Sequence, residues 1–254
     1  MQRMLIFIYG LLAYLLFFAT ILYAIGFVEN YATPTSLDTG EAGPLGIALA
    51  VNIGILLLFA VQHTIMARPA FKAWWTRIIP EAAERSTFVV LASAILCLLF
   101  WLWRPIPGVL WDVQTPALRG LLYAISLLGF GIVFYASFLI DHFDLFGVRQ
   151  VYLNLKQRPY HHHPFTVRSL YRFVRHPLMF GFLLAFWFAP TMTWGHLLFA
   201  AVTTVYILFG IYVEERDLVR FHGQAYLEYR KHTPALIPHP AHSSPPTIEP
   251  QAHP

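Results

Sequence analysis

Four long apolar runs constrain this chain most strongly, because each is about as long as a helix must be to cross a lipid bilayer. The runs are Met4–Val28, Pro44–Met66, Ser86–Trp103 and Leu118–Ile140. About 20 apolar residues in a helix span the hydrocarbon core of a membrane. Hydrophobic residues make up 57% of the chain and charged residues only 12%, which is too little charge to cover a soluble protein of this length. The sequence therefore predicts an integral membrane protein.

A fifth apolar region, from Leu178 to Val213, is interrupted by Pro190. Proline removes a helix donor and clashes with the preceding turn. We therefore expect a short helix over Leu178–Phe188 and a longer one over Trp194–Val213, folded together as a hairpin. The predicted fold class is all-α: a polytopic transmembrane helical bundle with four spans, a C-terminal helical hairpin and cytoplasmic interfacial helices.

The chain divides into three predicted regions. Residues 1–140 form the four-span region, and residues 141–237 hold a cytoplasmic loop, the hairpin and a C-terminal segment that binds the ligand. Residues 238–254 are rich in Pro, Ser and His and are expected to form a disordered tail. Two amphipathic stretches, Leu145–Leu155 and Leu218–Tyr229, predict the interfacial helices.

Basic residues are concentrated in three connecting stretches, 68–85, 149–175 and 216–231, whereas the connection after the first run is acidic. The positive-inside rule places these basic stretches and both termini in the cytoplasm, with the chain in the inner (cytoplasmic) membrane. This orientation requires an even number of crossings, which four spans and an out-and-back hairpin supply. The net charge of +4 thus indicates membrane anchoring and argues against a nucleic-acid partner.

Ionisable and polar residues stand at the ends of several runs, where charge at membrane depth is costly. If the helices form a bundle, these groups gather on the cytoplasmic side of one cavity. The alternative interpretation is that they are ordinary residues at span ends whose side chains reach the interface. They are Gln62 and His63, then Asp141, His142 and Asp144, then Arg175 and His176, and finally Glu214 and Glu215.

The Arg-His-Pro sequence at 175–177 begins the hairpin. Proline is favourable at the first position of a helix, and the free backbone N–H groups there, beside Arg175 and His176, can hold a carboxylate. Gly181 allows another backbone or a ligand to approach closely. The hairpin returns Glu214 and Glu215 to the same membrane face. A zwitterion with an additional positive centre, such as S-adenosylmethionine (SAM), suits this mixture of groups.

The paired motif Arg175-His176-Pro177-x-x-x-Gly181 and Glu214-Glu215-x-x-Leu218-x-x-Phe221-x-Gly223-x-x-Tyr226-x-x-Tyr229 resembles the isoprenylcysteine carboxyl methyltransferase-like superfamily of integral membrane methyltransferases. The resemblance covers about residues 170–240 and implies SAM as the cofactor, enclosed between the hairpin and the C-terminal segment. Met179 departs from the family, which often has an aromatic residue there. The cofactor-binding residues implied by the resemblance are Tyr171, Arg175, His176, Pro177, Gly181, Glu214, Glu215, Tyr226 and Tyr229.

The middle of the chain resembles one branch of that superfamily, the methanethiol S-methyltransferases. The resemblance rests on Gln62-His63-x-x-Met66-Ala67-Arg68-Pro69 and on Asp141-His142-Phe143-Asp144-Leu145-Phe146-Gly147. It implies SAM-dependent methylation of a small thiol, methanethiol, to dimethyl sulfide. A thiol reacts as its thiolate, so a base or a positive environment is required. The candidate catalytic residues are His142, oriented by Asp141 or Asp144, and Arg175 as electrostatic support.

Two other interpretations of the function remain open. The chain could methylate another substrate of the superfamily, a prenylcysteine carboxylate or a phospholipid. It could also be a non-catalytic membrane protein, like relatives linked to nitrogen-oxide metabolism. A metal site is not expected: His161, His162 and His163 are adjacent, point in different directions and lack further ligands at metal-site spacing.

Overall fold

A computed structural model describes residues 1–161 and 165–237 of the chain. The predicted tail, 238–254, lies outside the described residues, as do His162 and His163. Five of the helices are long and apolar enough to cross a membrane, namely α1, α2, α4, α5 and α9. In chain order the elements are α1 (Gln2–Glu29), α2 (Leu45–Met66), α3 (Pro69–Trp75), α4 (Glu81–Leu102), β1 (Val109–Asp112), α5 (Pro116–Ile140), α6 (His142–Leu145), α7 (Val148–Leu155), a 3-10 turn (Ser169–Arg172), α8 (Pro177–Trp187), β2 (Thr191–Thr193), α9 (Trp194–His222) and α10 (Gln224–His232).

The long helices and α8 form one polytopic bundle, which confirms the predicted all-α fold and the integral membrane character of the chain. Helix α4 packs on α1 and α2, α9 packs on α2 and α8, and α8 packs on α5. Contacts between Phe18 and Phe134 and between Glu29 and Ser126 bring α5 back to α1. The helices therefore follow one another around a ring, and side chains on their inner faces meet across it.

Helices α5 and α8 approach most closely at a pair of glycines. A Cβ atom at Gly181 would lie 2.6 Å from the carbonyl oxygen of Gly129, and one at Gly129 would lie 2.5 Å from that of Gly181. Side chains at these positions would force the helices apart, so glycine is required for this packing. The backbone expected to approach Gly181 is therefore that of α5.

The hairpin forms as predicted, with an additional short sheet at its turn. Strand β2 lies between α8 and α9 and pairs antiparallel with β1, with Val109 opposite Thr193 and Asp112 opposite Thr191. Pro190 precedes β2, and its carbonyl accepts a hydrogen bond from the N–H of Val113 at 2.9 Å. We call this end of the bundle the sheet end. The opposite end carries α3, α6, α7 and α10 and most of the arginines, and we call it the basic end.

Helices α4 and α9 extend furthest beyond the apolar runs that predicted them. Helix α4 begins at Glu81, and α9 continues to His222 instead of ending at Val213, since backbone hydrogen bonding continues after the apolar stretch ends. The prediction of one interfacial helix over Leu218–Tyr229 was therefore wrong. Its first turn belongs to α9, and Gly223, with φ of 56°, breaks the helix before α10.

Candidate active site

The start of α8 and the last third of α9 meet at the basic end through one ion pair. The Arg175 guanidinium donates to Glu215 Oε1 from Nη2 at 2.6 Å and from Nε at 2.7 Å. The buried His176 ring places Nε2 3.2 Å from the same oxygen. Only 10% of the Arg175 side chain and 13% of the Glu215 side chain are exposed. The hairpin thus brings the two predicted motifs together at one end of the bundle.

Arg175 also fixes the C-terminal segment. Its Nη1 donates to the backbone carbonyls of Arg230 and Thr233, at the end of α10. All three guanidinium nitrogens therefore have protein acceptors. We call this group, Arg175 with Glu215, His176 and the two carbonyls, the clamp. Because its donors are engaged by the protein, Arg175 has a structural role in this arrangement: it holds the start of α8, α9 and the end of α10 together.

The chain after α10 crosses the start of α8 and is held there by backbone hydrogen bonds. The N–H of Arg175 donates to the carbonyl of Pro234 at 2.9 Å, and the N–H of His176 donates to that of Ala235 at 3.0 Å. Tyr229 donates its hydroxyl proton to the carbonyl of Tyr171 at 2.6 Å. We call residues 224–235 the C-terminal strap. Sequence reasoning missed the carbonyls of the strap, because backbone acceptors leave no mark in residue types.

The two adjacent glutamates have different surroundings. Glu215 is nearly buried and accepts from the clamp, and Arg230 Nη1 lies 3.8 Å from its second oxygen. The Glu214 side chain is 48% exposed, and His176 Nδ1 lies 3.6 Å from its Oε2 atom. Glu215 is therefore the structural carboxylate of the pair, whereas the Glu214 carboxylate is partly accessible to solvent.

Three predicted tyrosines lie around this carboxylate pair. Burial is the main cause that raises the pKa of Tyr171, Tyr226 and Tyr229, and a nearby carboxylate raises the pKa of each further. All three phenols are therefore neutral at physiological pH. The Tyr226 hydroxyl is buried beside Arg175 but forms no hydrogen bond of normal geometry within the described residues. It is a buried polar atom that a ligand can satisfy.

Pro177 and Gly181 lie where α8 begins. Pro177 occupies the first helical position and is buried, as its position in the motif predicts. Gly181 faces α5, so its contact is with the scaffold. The structure thus brings Tyr171, Arg175, His176, Pro177, Glu214, Glu215, Tyr226 and Tyr229 into one region.

His142 lies in a second group of residues at the basic end, formed by α6 with α1 and α5. Its ring stacks on Phe138, with centroids 4.2 Å apart. Ser137 Oγ lies 2.7 Å from Nδ1, and the Tyr14 hydroxyl lies 2.9 Å from Nε2. Ser137 donates its own proton to the carbonyl of Phe134, so Nδ1 of His142 carries the proton donated to Ser137, and Nε2 accepts from Tyr14.

These contacts give His142 a packing role. Burial lowers its pKa, and the opposing effect of Asp141 is smaller. Both ring nitrogens have protein partners, so neither is available to accept a proton from a substrate in this arrangement. A base role for His142 stays a prediction. Asp141, with φ of 92°, caps α6 by accepting from the N–H of Asp144 at 3.0 Å.

Asp144 is the centre of a polar network between α6, α7 and the following loop. It accepts from Arg149 at 2.9 Å and from the Tyr160 hydroxyl at 3.1 Å. Burial first, and then the Asp144 charge, raises the pKa of Tyr160 to about 12. Asp144 therefore holds the loop rather than orienting His142.

Most of the buried side-chain polar atoms that lack a hydrogen-bond partner within residues 1–161 and 165–237 lie at the basic end. Each such group costs about 1–3 kcal/mol when it stays unpaired, so a concentration of them indicates a surface built for a ligand or water. The sequence singled out Gln62 and His63 at this end, but not the atoms on α3, α4 and α7. The atoms are Gln62 Oε1, His63 Nδ1, Trp75 Nε1, Glu84 Oε1, Ser86 Oγ, Gln150 Oε1, Asn154 Nδ2 and the Tyr226 hydroxyl.

Comparison with known proteins places this geometry in context. The NnrU protein family matches residues 51–214. The chain is 50% identical to a methanethiol S-methyltransferase of Mycobacterium tuberculosis over 94% of its own length and 98% of the relative. It is also 50% identical to methanethiol S-methyltransferase 1 of Bradyrhizobium diazoefficiens, over 91% of the chain and 81% of the relative.

A more distant similarity extends to animals. The chain is 32% identical to nurim of Sus scrofa over 68% of each protein. No solved structure matches the chain.

Proposed function

The chain belongs to the NnrU protein family and to its methanethiol S-methyltransferase group, and from this premise we propose that it transfers a methyl group from SAM to methanethiol, giving dimethyl sulfide. The observation that carries the proposal is the near-complete coverage of both chains at 50% identity. The candidate active site supports it, because the clamp joins the two motifs that the proposed cofactor would contact.

SAM fits the groups present at the clamp. The exposed Glu214 carboxylate suits the ammonium group or the ribose hydroxyls. The first turn of α8, beside His176, suits the carboxylate, and the ring faces of Tyr171 and Tyr226 suit the sulfonium and the adenine. When bound, SAM supplies an electrophilic methyl group on a positively charged sulfur.

The other clamp residues position these groups. Arg175 and Glu215 hold the start of α8, the end of α9 and the strap in one geometry, so that Glu214 and His176 face a common space. Alignment of reactants and exclusion of water are large contributions to such a transfer. The bundle supplies apolar surroundings that suit a small thiol able to partition into lipid.

We place the basic end in the cytoplasm, where SAM is made available to enzymes. The supporting observation is the concentration of arginines at this end, as the positive-inside rule requires. Both termini then face the cytoplasm, and the chain resides in the inner membrane. Reporter fusions at the C-terminus test this orientation: a reporter active only in the cytoplasm should be active there.

The activity is tested with purified protein in lipid vesicles, SAM and methanethiol. We expect dimethyl sulfide in the headspace and S-adenosylhomocysteine in equal amount. His176→Ala should reduce the yield through weaker SAM binding, whereas Glu41→Gln, at a side chain that is 96% exposed in the connection after α1, should not. SAM binding without dimethyl sulfide would favour another methyl acceptor, such as a prenylcysteine carboxylate or a phospholipid. Absence of SAM binding would favour the non-catalytic alternative.

A further inference from the structure

His63 lies one turn before the end of α2, inside the ring of helices. Its Nδ1 atom is buried and has no hydrogen-bond partner within the part of the chain that the structure describes. We assign to the neutral ring the tautomer that is protonated at Nε2, which makes Nδ1 an acceptor. An unpaired acceptor in such a place is costly, so it calls for a donor that the described residues do not supply.

Aromatic rings from three helices surround this histidine. The ring centroid of Phe88 on α4 lies 4.8 Å from that of His63, the centroid of Phe59 lies 5.2 Å away, and that of Tyr206 on α9 lies 6.4 Å away. We call His63 with these three rings the aromatic chamber. Its walls are apolar and polarisable, which favours a small sulfur compound over water.

The charged and titratable groups that face His63 are few. From α4, the Arg85 guanidinium lies within electrostatic range of His63 and 4.8 Å above the Phe88 ring. Arg85 is fixed by donation to the carbonyl of Leu145 at 2.6 Å. From α9, the facing group is the Tyr206 phenol. The Arg85 charge stabilises an anion that forms beside the imidazole, and it disfavours a lasting positive charge on the imidazole itself, so a proton accepted there is readily released.

The aromatic chamber is deeper in the bundle than the clamp, and α9 supplies a residue to each: Tyr206 to the chamber and Glu215 to the clamp. Tyr206 precedes Glu214 by eight residues, a rise of about 12 Å and a little over two helical turns. The Tyr206 hydroxyl lies beside Thr64 and within electrostatic range of Arg68 and Glu214. Glu214, which would hold the cofactor, and Tyr206, which lines the aromatic chamber, therefore belong to the same helix about two turns apart.

We propose that the aromatic chamber is the thiol-binding site and that His63 is the base that accepts the thiol proton. The proposal rests on the proposed methyl transfer from SAM. Phe59, Phe88 and Tyr206 pack around the His63 ring, so a thiol that reaches Nδ1 must fit between these side chains. This requirement favours a substrate as small as methanethiol.

The S–H bond of the thiol breaks and its proton passes to His63 Nδ1, while the sulfur electron pair forms the new carbon–sulfur bond to the transferred methyl. The electron pair of the broken sulfonium bond stays on the donor sulfur and leaves a neutral thioether. The proton later leaves His63 for solvent, so one proton is released per turnover.

The first test replaces the base. His63→Gln keeps a polar side chain of similar length but cannot accept a proton at neutral pH. We expect kcat/KM for methanethiol to fall about 100-fold or more at pH 7. The loss should shrink as the pH rises and solution thiolate becomes available, while the dissociation constant for SAM stays within twofold. An unchanged rate and pH profile in an active, SAM-binding variant would overturn the proposal.

The second test does not depend on turnover. Protein labelled with 15N-histidine is titrated with methanethiol in the absence of SAM. We expect the resonance that is missing from His63→Gln to move, and the resonance of the exposed His232 to stay in place. A His63 resonance that is insensitive to the thiol would contradict the assignment of the chamber.

The third test uses the size of the chamber and covers the case in which His63→Gln does not fold. Phe59→Ala should raise kcat/KM for propanethiol relative to methanethiol by about tenfold or more, because each methylene fitted into a pocket contributes on that scale. Leu58→Ala, next to it on an exposed face of α2, should leave the ratio unchanged. An unchanged ratio in Phe59→Ala would place the thiol elsewhere. If the wild-type protein makes no dimethyl sulfide but its His63 resonance responds to thiol, the reaction fails and the binding site stands.

Discussion

Removing the charge of Glu215 should be among the most damaging single changes at the basic end. Glu215→Gln preserves the shape of the side chain but leaves the Arg175 guanidinium, with 10% of its side chain exposed, without a counter-charge. Removing one partner of a buried ion pair lowers the free energy of unfolding by about 3–5 kcal/mol. We expect about 3 kcal/mol here, because both side chains retain some contact with solvent. For a chain of this size this corresponds to a fall in Tm of about 6–12 °C.

A double-mutant cycle separates the pair from general damage. Arg175→Met, Glu215→Gln and the double variant are compared by thermal unfolding in detergent. The double variant should be less destabilised than the sum of the single variants by about 1–3 kcal/mol. Glu228→Gln is the matched control in the strap, where Glu228 pairs with Lys231 at 2.8 Å on the surface. This variant should leave Tm unchanged, because exposed ion pairs contribute little to stability. Additive single effects, or a Glu215→Gln shift no larger than that of Glu228→Gln, would refute the structural role of the clamp.

Three further predictions concern the scaffold. Gly181→Ala should destabilise the protein by about 1–3 kcal/mol in thermal unfolding, since its Cβ would collide with the Gly129 carbonyl, whereas Gly210→Ala, with open space at its Cβ, should not. Because burial lowers the pKa of His142 in the folded protein, the unfolded chain binds its proton first, and stability should fall below about pH 6.5 and do so less in His142→Phe. An equal slope in both proteins would contradict that role. Tyr229→Phe should cost about 1 kcal/mol by removing one hydrogen bond and should weaken SAM binding, and unchanged binding would show that the strap is held by other contacts.

The architecture was predictable because the bilayer leaves few solutions. Length and apolar composition alone predicted α1, α2, α4 and α5, and Pro190 predicted the break in the hairpin. The ends were less predictable, since α9 continues as a regular helix after its sequence becomes charged at Glu214. The small sheet was missed because β1 and β2 are too short to carry a periodic pattern.

Side-chain chemistry was enough to predict which residues gather at the site. It was not enough to predict the contacts of each residue, because these depend on how the helices pack. The meeting of Arg175 and Glu215 follows from the return of a hairpin to its starting face. The sequence could not show which of the two adjacent glutamates pairs with Arg175, because they are chemically identical. In the structure Glu215 forms this ion pair, and the Glu214 side chain stays partly exposed. His142 looked like a base beside two carboxylates, but the fold surrounds it with aromatic rings and gives both ring nitrogens partners.

Sequence reasoning did not select Arg85 and Tyr206 as neighbours of His63. Arg85 was counted only among the basic residues that fix orientation, and Tyr206 lies inside an apolar run without a motif. Their positions beside His63 depend on the order of the helices around the bundle, in which α2 lies between α4 and α9. A single sequence does not contain this order.

The most direct test of the account is the equilibrium affinity for SAM of Glu214→Gln, measured by titration of purified protein. Glu41→Gln, which alters a glutamate whose side chain is 96% exposed in the connection after α1, is its control. The account predicts that Glu214→Gln binds SAM about tenfold or more weakly at unchanged Tm, since a charged hydrogen bond contributes about 1.5–3 kcal/mol, and that Glu41→Gln binds like the wild type. Wild-type affinity in Glu214→Gln would contradict the placement of the cofactor at the clamp.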